Sequence, residues 1–174
     1  WEQSEDGLTW TFNLREGVMF SNGEELTAEA VAWTYNRFLD PEGGFSGSSA
    51  NIGGEGTVVE ATDTYVVSII HPEPVAIAPI LLGLNKATGI MHPDSVEEDG
   101  TIISPIGTGP FMITEIDGTS SILLERNPNY WQEGLPYLDA VEIRPIPDDT
   151  VRETSLLGGE IDWVLAIAPQ SYEA

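Results

Sequence analysis

The 174-residue chain contains no cysteine, which excludes disulfides, thiolate metal sites and cysteine nucleophiles. Basic residues are nearly as scarce. There is one lysine, Lys86, and 6 Lys plus Arg in all against 29 Asp plus Glu, for a formal charge of −23. Such a surface repels phosphate backbones, which argues against a nucleic-acid partner, and it disfavours anionic lipid for the same reason. The acids are spread along the whole chain. That fits solubility in salt, where screening shortens repulsion to about 3 Å at 1 M, better than a single cationic ligand. Long apolar runs are missing too. The longest, "VAIAPILLGL" from Val75 to Leu84, falls short of the roughly 20 residues a membrane helix needs and contains Pro79. The chain opens on Trp1-Glu2-Gln3 with no initiator Met and no basic or apolar leader, and it stops at "APQSYEA". Both ends read as cut, and the chain as a piece of something longer.

No catalytic constellation is legible. His71 and His92 are the only histidines; each precedes a proline, and neither has a second ligand three or four residues away on a helical segment. Capping or surface roles are the expectation for both. The acidic clusters Glu24-Glu25, Glu97-Glu98-Asp99 and Asp148-Asp149 fall in turns or at helix starts, where solvation or capping explains them. "DPEGGFSGSSAN" lacks the alternating oxygen donors and closing Glu of a calcium loop. "GFSGS" lies in a loop after a helix, not at a strand-to-helix elbow, and "GTGP" is not followed by the Lys and Ser/Thr of a phosphate loop. Gly107 and Gly109 are instead expected to allow a sharp turn, with Pro110 setting the entry to the next strand. The expectation is no catalytic residue, no metal and no cofactor.

What is present is an orderly series of elements. A hydrophobic content of 41% is enough for a real core in one domain, or a large part of one. "LTWTFNLREGVMF" alternates through Trp10, Phe12 and Leu14 as a half-buried strand does. Asn22-Gly23 turns the chain, and Thr27 is placed to cap a helix with apolar positions at Ala28, Val31, Ala32, Tyr35, Phe38 and Leu39. Asp40-Pro41 ends it. A Gly/Ser-rich loop runs from Gly43 to Gly56. "TVVEATDTYVVSIIH" reads as two strands about a Thr62-Asp63 turn. Val75 to Leu84 reads as a short helix broken by Pro79, and "MHPDSVEEDG" as a polar turn or helical fragment. Next comes a hairpin about Asp117-Gly118, with strands Phe111 to Ile116 and Ser121 to Arg126, followed by an edge-like strand "AVEIRPIP". A helix from Asp148 or Asp149 stops at Gly158-Gly159, and "IDWVLAI" opens a further strand. Strands and helices in this order give an α+β fold with a mixed sheet. The aromatics fall mostly on apolar faces and read as core. Phe45, alone in the Gly/Ser loop, is the exception and a candidate ligand contact.

The motifs "GTGPF…LERNPNYW…PYLDAVEIRPIPD…R…LLGGEID", together with the Leu-Arg strand, Asn-Gly turn and Thr-Ala-Glu helix start of Trp1 to Pro41, resemble the family 5 extracellular solute-binding proteins that serve ABC importers. The motifs are ordered and cover nearly the whole chain. The resemblance implies part of one lobe of a type II periplasmic-binding-protein-like fold, with the second lobe absent. Residues 1–110 would be mostly the family's extra subdomain. Residues 111–174 would return into the main sheet and run toward the hinge. It implies non-catalytic capture of a peptide or similar small solute between two lobes, with the permease subunits of an ABC transporter as partners. It further implies a periplasmic or extracellular place, with a lipid anchor as one open form of it, and a monomeric full-length protein. Asn127, Pro128, Tyr130 and Trp131 would pin the hairpin. Ligand-facing positions would be Phe45, Leu84, Asn85, Val164, Leu165 and Ala166. Several of these are small or apolar, which leaves room for an apolar or smaller solute. Two other classes stay open at this point: a ligand-sensing domain that reuses the fold, and the non-catalytic part of a hydrolase.

Overall fold

The structure is a computed structural model, and it describes residues 1–43, 46–84 and 88–165. Two antiparallel sheets form in succession. The first has the strand order β1-β2-β4-β3, from β1 (Glu2–Gln3), β2 (Thr9–Asn13), β3 (Val58–Asp63) and β4 (Val66–Ile70). The second has the order β5-β6-β7, from β5 (Phe111–Asp117), β6 (Ser121–Arg126) and β7 (Ala140–Ile143). Among the described residues four α-helices accompany them: α1 (Ala28–Leu39), α2 (Ser46–Ile52), α3 (Ala78–Leu84) and α4 (Asp149–Leu157). The α+β class stands. Every strand pair among the described residues is antiparallel, so no mixed sheet forms within them.

The core follows from the period of α1. Ala28, Val31, Ala32, Tyr35 and Phe38 recur at helical spacing and pack on Val59, Val67 and Ile69 of the first sheet, with Ile52 of α2 closing the cluster. Thr27 occupies the cap position but makes no side-chain cap hydrogen bond; Asp40 leaves the helix in an extended conformation, as a residue before proline must. Asn36 does a second job. Its Nδ2 donates to the Val59 carbonyl at 2.9 Å and its Oδ1 accepts from the Val59 amide at 3.4 Å, so a side-chain amide covers part of the open edge of β3.

Four expectations need correcting. The Gly/Ser segment is not all loop, since Ser46–Ile52 is helical. Its composition is poor for helix, but burial of Ile52 against α1 outweighs propensity. The β3–β4 turn lies at Thr64-Tyr65, two residues later than expected, because Thr62 is the extra residue of a bulge between Ala61 and Asp63. Pro79 does not break α3. It sits in the first turn, where its missing N–H is no loss. No strand forms over 161–165, and 166–174 lie outside the described residues.

The second half has the expected hairpin, with Gly118 at φ 52° and the Ser120 amide donating to the Asp117 carbonyl at 2.8 Å. In α4, Asp148 caps the helix by accepting from the Val151 amide at 2.9 Å. Its C-terminus is a Schellman turn. The Glu160 amide donates to Ser155 at 2.9 Å and the Gly159 amide to Leu156 at 3.1 Å, with Gly159 at φ 72°.

Candidate functional site

The segment from Gly107 to Trp131 joins the two sheets, and Asn127 is its fastening. It is 2% exposed. Its Nδ2 donates to the Gly109 carbonyl at 2.8 Å, its backbone amide to the Pro110 carbonyl at 2.9 Å, and its Oδ1 accepts from the Asn129 amide at 2.9 Å. The expected pinning turn is therefore formed, and these bonds define it. Ser21 completes the link: its amide donates to the Gly107 carbonyl at 2.9 Å, and its carbonyl accepts from Asn129 Nδ2 at 3.2 Å. The Arg15 guanidinium lies 4.5 Å from the centre of the Trp131 ring, a cation–π contact between the two halves. Gly107 and Gly109 act through their carbonyls. Neither adopts a positive φ, and a β-carbon on either would meet nothing nearer than 3.8 Å, so the sharp turn expected of them is not what they supply.

Both histidines are buried, contrary to a surface role. His92 does cap the 3₁₀ turn Pro93–Ser95, with Nδ1 accepting from the Asp94 amide at 3.1 Å. That bond makes Nδ1 the acceptor, so Nε2 carries the proton and donates to Glu24 at 3.1 Å. Glu24, His92 and Asp94 bring ligand-type atoms within 4.8 Å of one another. Both imidazole nitrogens are nevertheless committed, one to an N–H and one to a carboxylate, and the ring is held edge-on to Phe20 at 5.1 Å. The group ties the Asn22-Gly23 turn to the 3₁₀ turn. Its neighbour Glu25 is tied as well: it accepts from the Tyr65 hydroxyl and the Gly17 amide, both at 2.8 Å, which holds its carboxyl below the usual range. Both acids are exposed, as the solvation or capping expected of this pair allows, but their partners stand up to 68 residues away, and no local signal marks them.

Of the expected ligand-facing positions, Phe45, Asn85 and Ala166 lie outside the described residues. Leu84, at the end of α3, is 79% exposed, and so is Leu165; Val164 is half-buried beside an exposed Trp163. Ile77 and Ile80 are exposed on α3 and its approach as well, giving with Leu84 an aliphatic stripe at helical spacing. Two surface cavities are formed elsewhere. One of about 330 Å³ is apolar and bounded by Phe111, Tyr130, Leu135, Pro136 and Leu138. The other, of about 490 Å³, lies between Trp33, Arg37 and Asp40 of the α1 face and the Val96–Gly100 segment. Neither includes Leu84, Val164 or Leu165.

The two-sheet α+β arrangement matches part of the fold of solved ABC-transporter substrate-binding proteins. The chain belongs to the bacterial extracellular solute-binding proteins of family 5, whose middle-region model matches residues 1–174. It is 32% identical over 166 residues to the glutathione-binding protein GsiB of Salmonella typhimurium, an alignment covering 94% of this chain and 32% of that protein. Among solved structures it is similar to NikA of Brucella suis in complex with Fe(III)-EDTA, at 31% identity and a TM-score of 0.81, covering 99% of this chain and 36% of that one. It is also similar to DppA of Helicobacter pylori in complex with the peptide STSA, at 29% identity and a TM-score of 0.76, covering 92% and 35%. The chain thus spans about a third of the length of the relatives it matches.

Proposed function

We propose that this chain forms part of one lobe of a protein that captures a peptide or similarly small solute outside the cytoplasmic membrane and delivers it to the permease subunits of an ABC importer. The observation that carries this reading is the family match over every residue of the chain. Its relatives bear names that speak of glutathione, an Fe(III) chelate and a tetrapeptide, which are all small solutes of differing chemistry. In this reading residues 1–110 are mostly the extra subdomain, and 111–174 return toward the hinge. The protein acts as a monomer in the periplasm or at the cell exterior, and it does no chemistry. Affinity comes from enclosure: two lobes close, water leaves the ligand, and the closed state is the one the ligand selects.

Within that enclosure, Leu84 at the end of α3 and Asn85 next to it in sequence, together with Phe45, Val164, Leu165 and Ala166, form this lobe's share of the wall. Two leucines left mostly in water support the assignment, since burying each against a ligand or closing lobe is worth about 1.5–3 kcal/mol. The test uses the full-length protein. The solute that co-purifies with it is identified by mass spectrometry, and its affinity is then measured by calorimetry for the wild type, Leu84→Asp and Leu165→Asp. One solute per molecule is expected, with each variant weaker by at least about tenfold, or about 1.4 kcal/mol. A protein that binds no peptide, glutathione or metal chelate overturns capture. Unchanged affinity in both variants overturns only the assignment of the wall.

A further inference from the structure

His71 continues β4 and lies two residues beyond Ile69, so its side chain points to the core face of the first sheet. Its amide donates to the Leu8 carbonyl at 2.8 Å, which fixes the backbone there. What covers the ring is the turn from Gly53 to Thr57. Gly53 lies so close that a β-carbon on it would stand 2.3 Å from Nδ1 and 2.5 Å from Cε1, and Gly56 is fitted against Pro72 in the same way, at 3.4 Å. Gly53, Gly54 and Gly56 all hold positive φ, so the turn is shaped to pass over the ring. The imidazole is left with the Thr57 hydroxyl 3.4 Å from Nδ1 and, among the described residues, no partner for Nε2.

A neutral ring tolerates this setting and a charged one does not. An imidazolium donates from both nitrogens, and here Thr57 can accept from only one. β2, β4, α2 and α3 carry no ionisable residue. In the surrounding segments Asp6, Glu55, Glu60, Asp63 and Glu73 are exposed. On α1, Glu29 is exposed, Arg37 donates to the Gly100 carbonyl, and buried Tyr35, its pKa pushed up to about 12, stays neutral. None of these steadies a charge on His71, whose pKa is lowered by burial alone. Charging the ring therefore requires water, and the covers differ in what their removal costs. Opening the sheet would expose Val59, Val67 and Ile69, each at most 2% exposed. α2 is seven residues long, rich in Ser and Gly, and far shorter than the roughly 12–15 residues at which a helix holds by itself. We propose that the turn over His71 is an acid-operated latch: protonation of the imidazole lifts Gly53–Gly56 off the ring and frees α2, while the first sheet and α1 stay folded. α2 also packs against α3. Under the solute-capture reading, acid thus loosens the segment that ends in Leu84; that consequence rests on the reading, and the latch does not.

Hydrogen exchange of the full-length protein, corrected for the intrinsic pH dependence of exchange, tests the latch. Opening that releases a ring of ordinary pKa, about 6.5, becomes about thirtyfold more frequent between pH 7.5 and pH 5. The Gly53, Gly54 and Thr57 amides donate within α2 and the turn, and they should lose about that much protection. Amides of β4, paired on both sides by β2 and β3, should lose less than about threefold. In His71→Gln, which keeps His92, the loss over α2 and the turn should also fall below about threefold. His71→Phe, a neutral ring, gives the same comparison if the glutamine variant fails to fold. Equal losses in β4 and α2 overturn the proposal, because the protein then opens as a whole. Wild-type protection of α2 that ignores pH overturns it, and so does a pH-dependent loss that survives in a folded variant. Wild-type protein that shows the latch but binds no peptide, glutathione or metal chelate at pH 7.5 supports the latch and counts against capture alone.

Discussion

A β-carbon on Gly53 would stand 2.3 Å from Nδ1 of His71 and 2.5 Å from Oγ1 of Thr57. The glycine also holds φ at 136°, in the region that side-chain-bearing residues avoid. Both facts make it obligatory where α2 ends against β4. Gly53→Ala is expected to destabilise the protein by about 2–4 kcal/mol, from backbone strain plus overpacking. Gly107→Ala, with nothing nearer than 3.9 Å and no positive φ, should stay within about 1 kcal/mol. Urea unfolding of the two variants measures the contrast, and equal losses would contradict this account.

His71 is 2% exposed, its Nε2 has no hydrogen-bond partner among the described residues, and burial holds its pKa below the ordinary 6.5. The unfolded chain therefore takes up a proton as pH falls through about 6.5, while the folded chain does not. This contribution to stability is complete above pH 6.5 and shrinks as pH falls toward the depressed folded value. Melting temperatures of wild type and His71→Gln, compared at pH 7.5 and pH 5, isolate the effect from the many acids. The wild type should lose more on acidification. Parallel losses would mean that His71 is charged in the fold.

Asn127 offers a test by chemistry at constant shape. Asn127→Asp removes the donor to the Gly109 carbonyl and sets a carboxylate against that oxygen in a buried site. A loss of about 2–3 kcal/mol is expected at pH 7, since a buried acceptor is left unsatisfied. Protonation restores a donor, so the folded pKa of the new carboxyl is raised. The defect should lessen as pH falls, and a pH-independent loss would refute the hydrogen-bond assignment. Because Asn127 ties the end of β6 to the entry of β5, hydrogen exchange should quicken at Asn127 and Asn129, whose amides take part in this turn.

A charge of −23 with only 6 basic residues makes repulsion between carboxylates general over the surface. The Debye length falls from about 10 Å at 0.1 M salt to about 3 Å at 1 M, which removes most of that repulsion. Thermal stability should rise steadily between low salt and molar NaCl. A flat profile would show that the acids are already neutralised by local bonds such as that of Glu142 with Arg144 at 2.7 Å.

Much of the fold is legible where one neighbourhood of sequence carries both pattern and punctuation. The helix over Ala28–Leu39 is marked by its apolar period, Thr27 before it and Asp40-Pro41 after it, and it forms within those bounds. Asp117-Gly118 and Gly158-Gly159 are read equally well, because each turn is decided by residues within one turn of itself. The helix of α2 was hidden by its glycines and serines, since what holds it is Ile52 meeting α1. The β3–β4 turn was misplaced because a bulge leaves no sign in hydrophobic alternation. As for the positions proposed to line the solute, the structure puts Leu84 and Leu165 in solvent, and neither exposure follows from local sequence.

By itself the sequence determined the helices with clean periods, the glycine turns, the acidic surface and the ordered motifs that place the chain among solute-binding proteins. Each of these depends on residues a few positions apart or on composition alone. Only the tertiary structure decided that His92 meets Glu24, that Asn127 closes on Gly109, and that Gly53 has no room for a side chain. Those relationships join residues brought together by the path of the backbone, and the energies that fix them are spent on burial and hydrogen bonds between segments that no local pattern links.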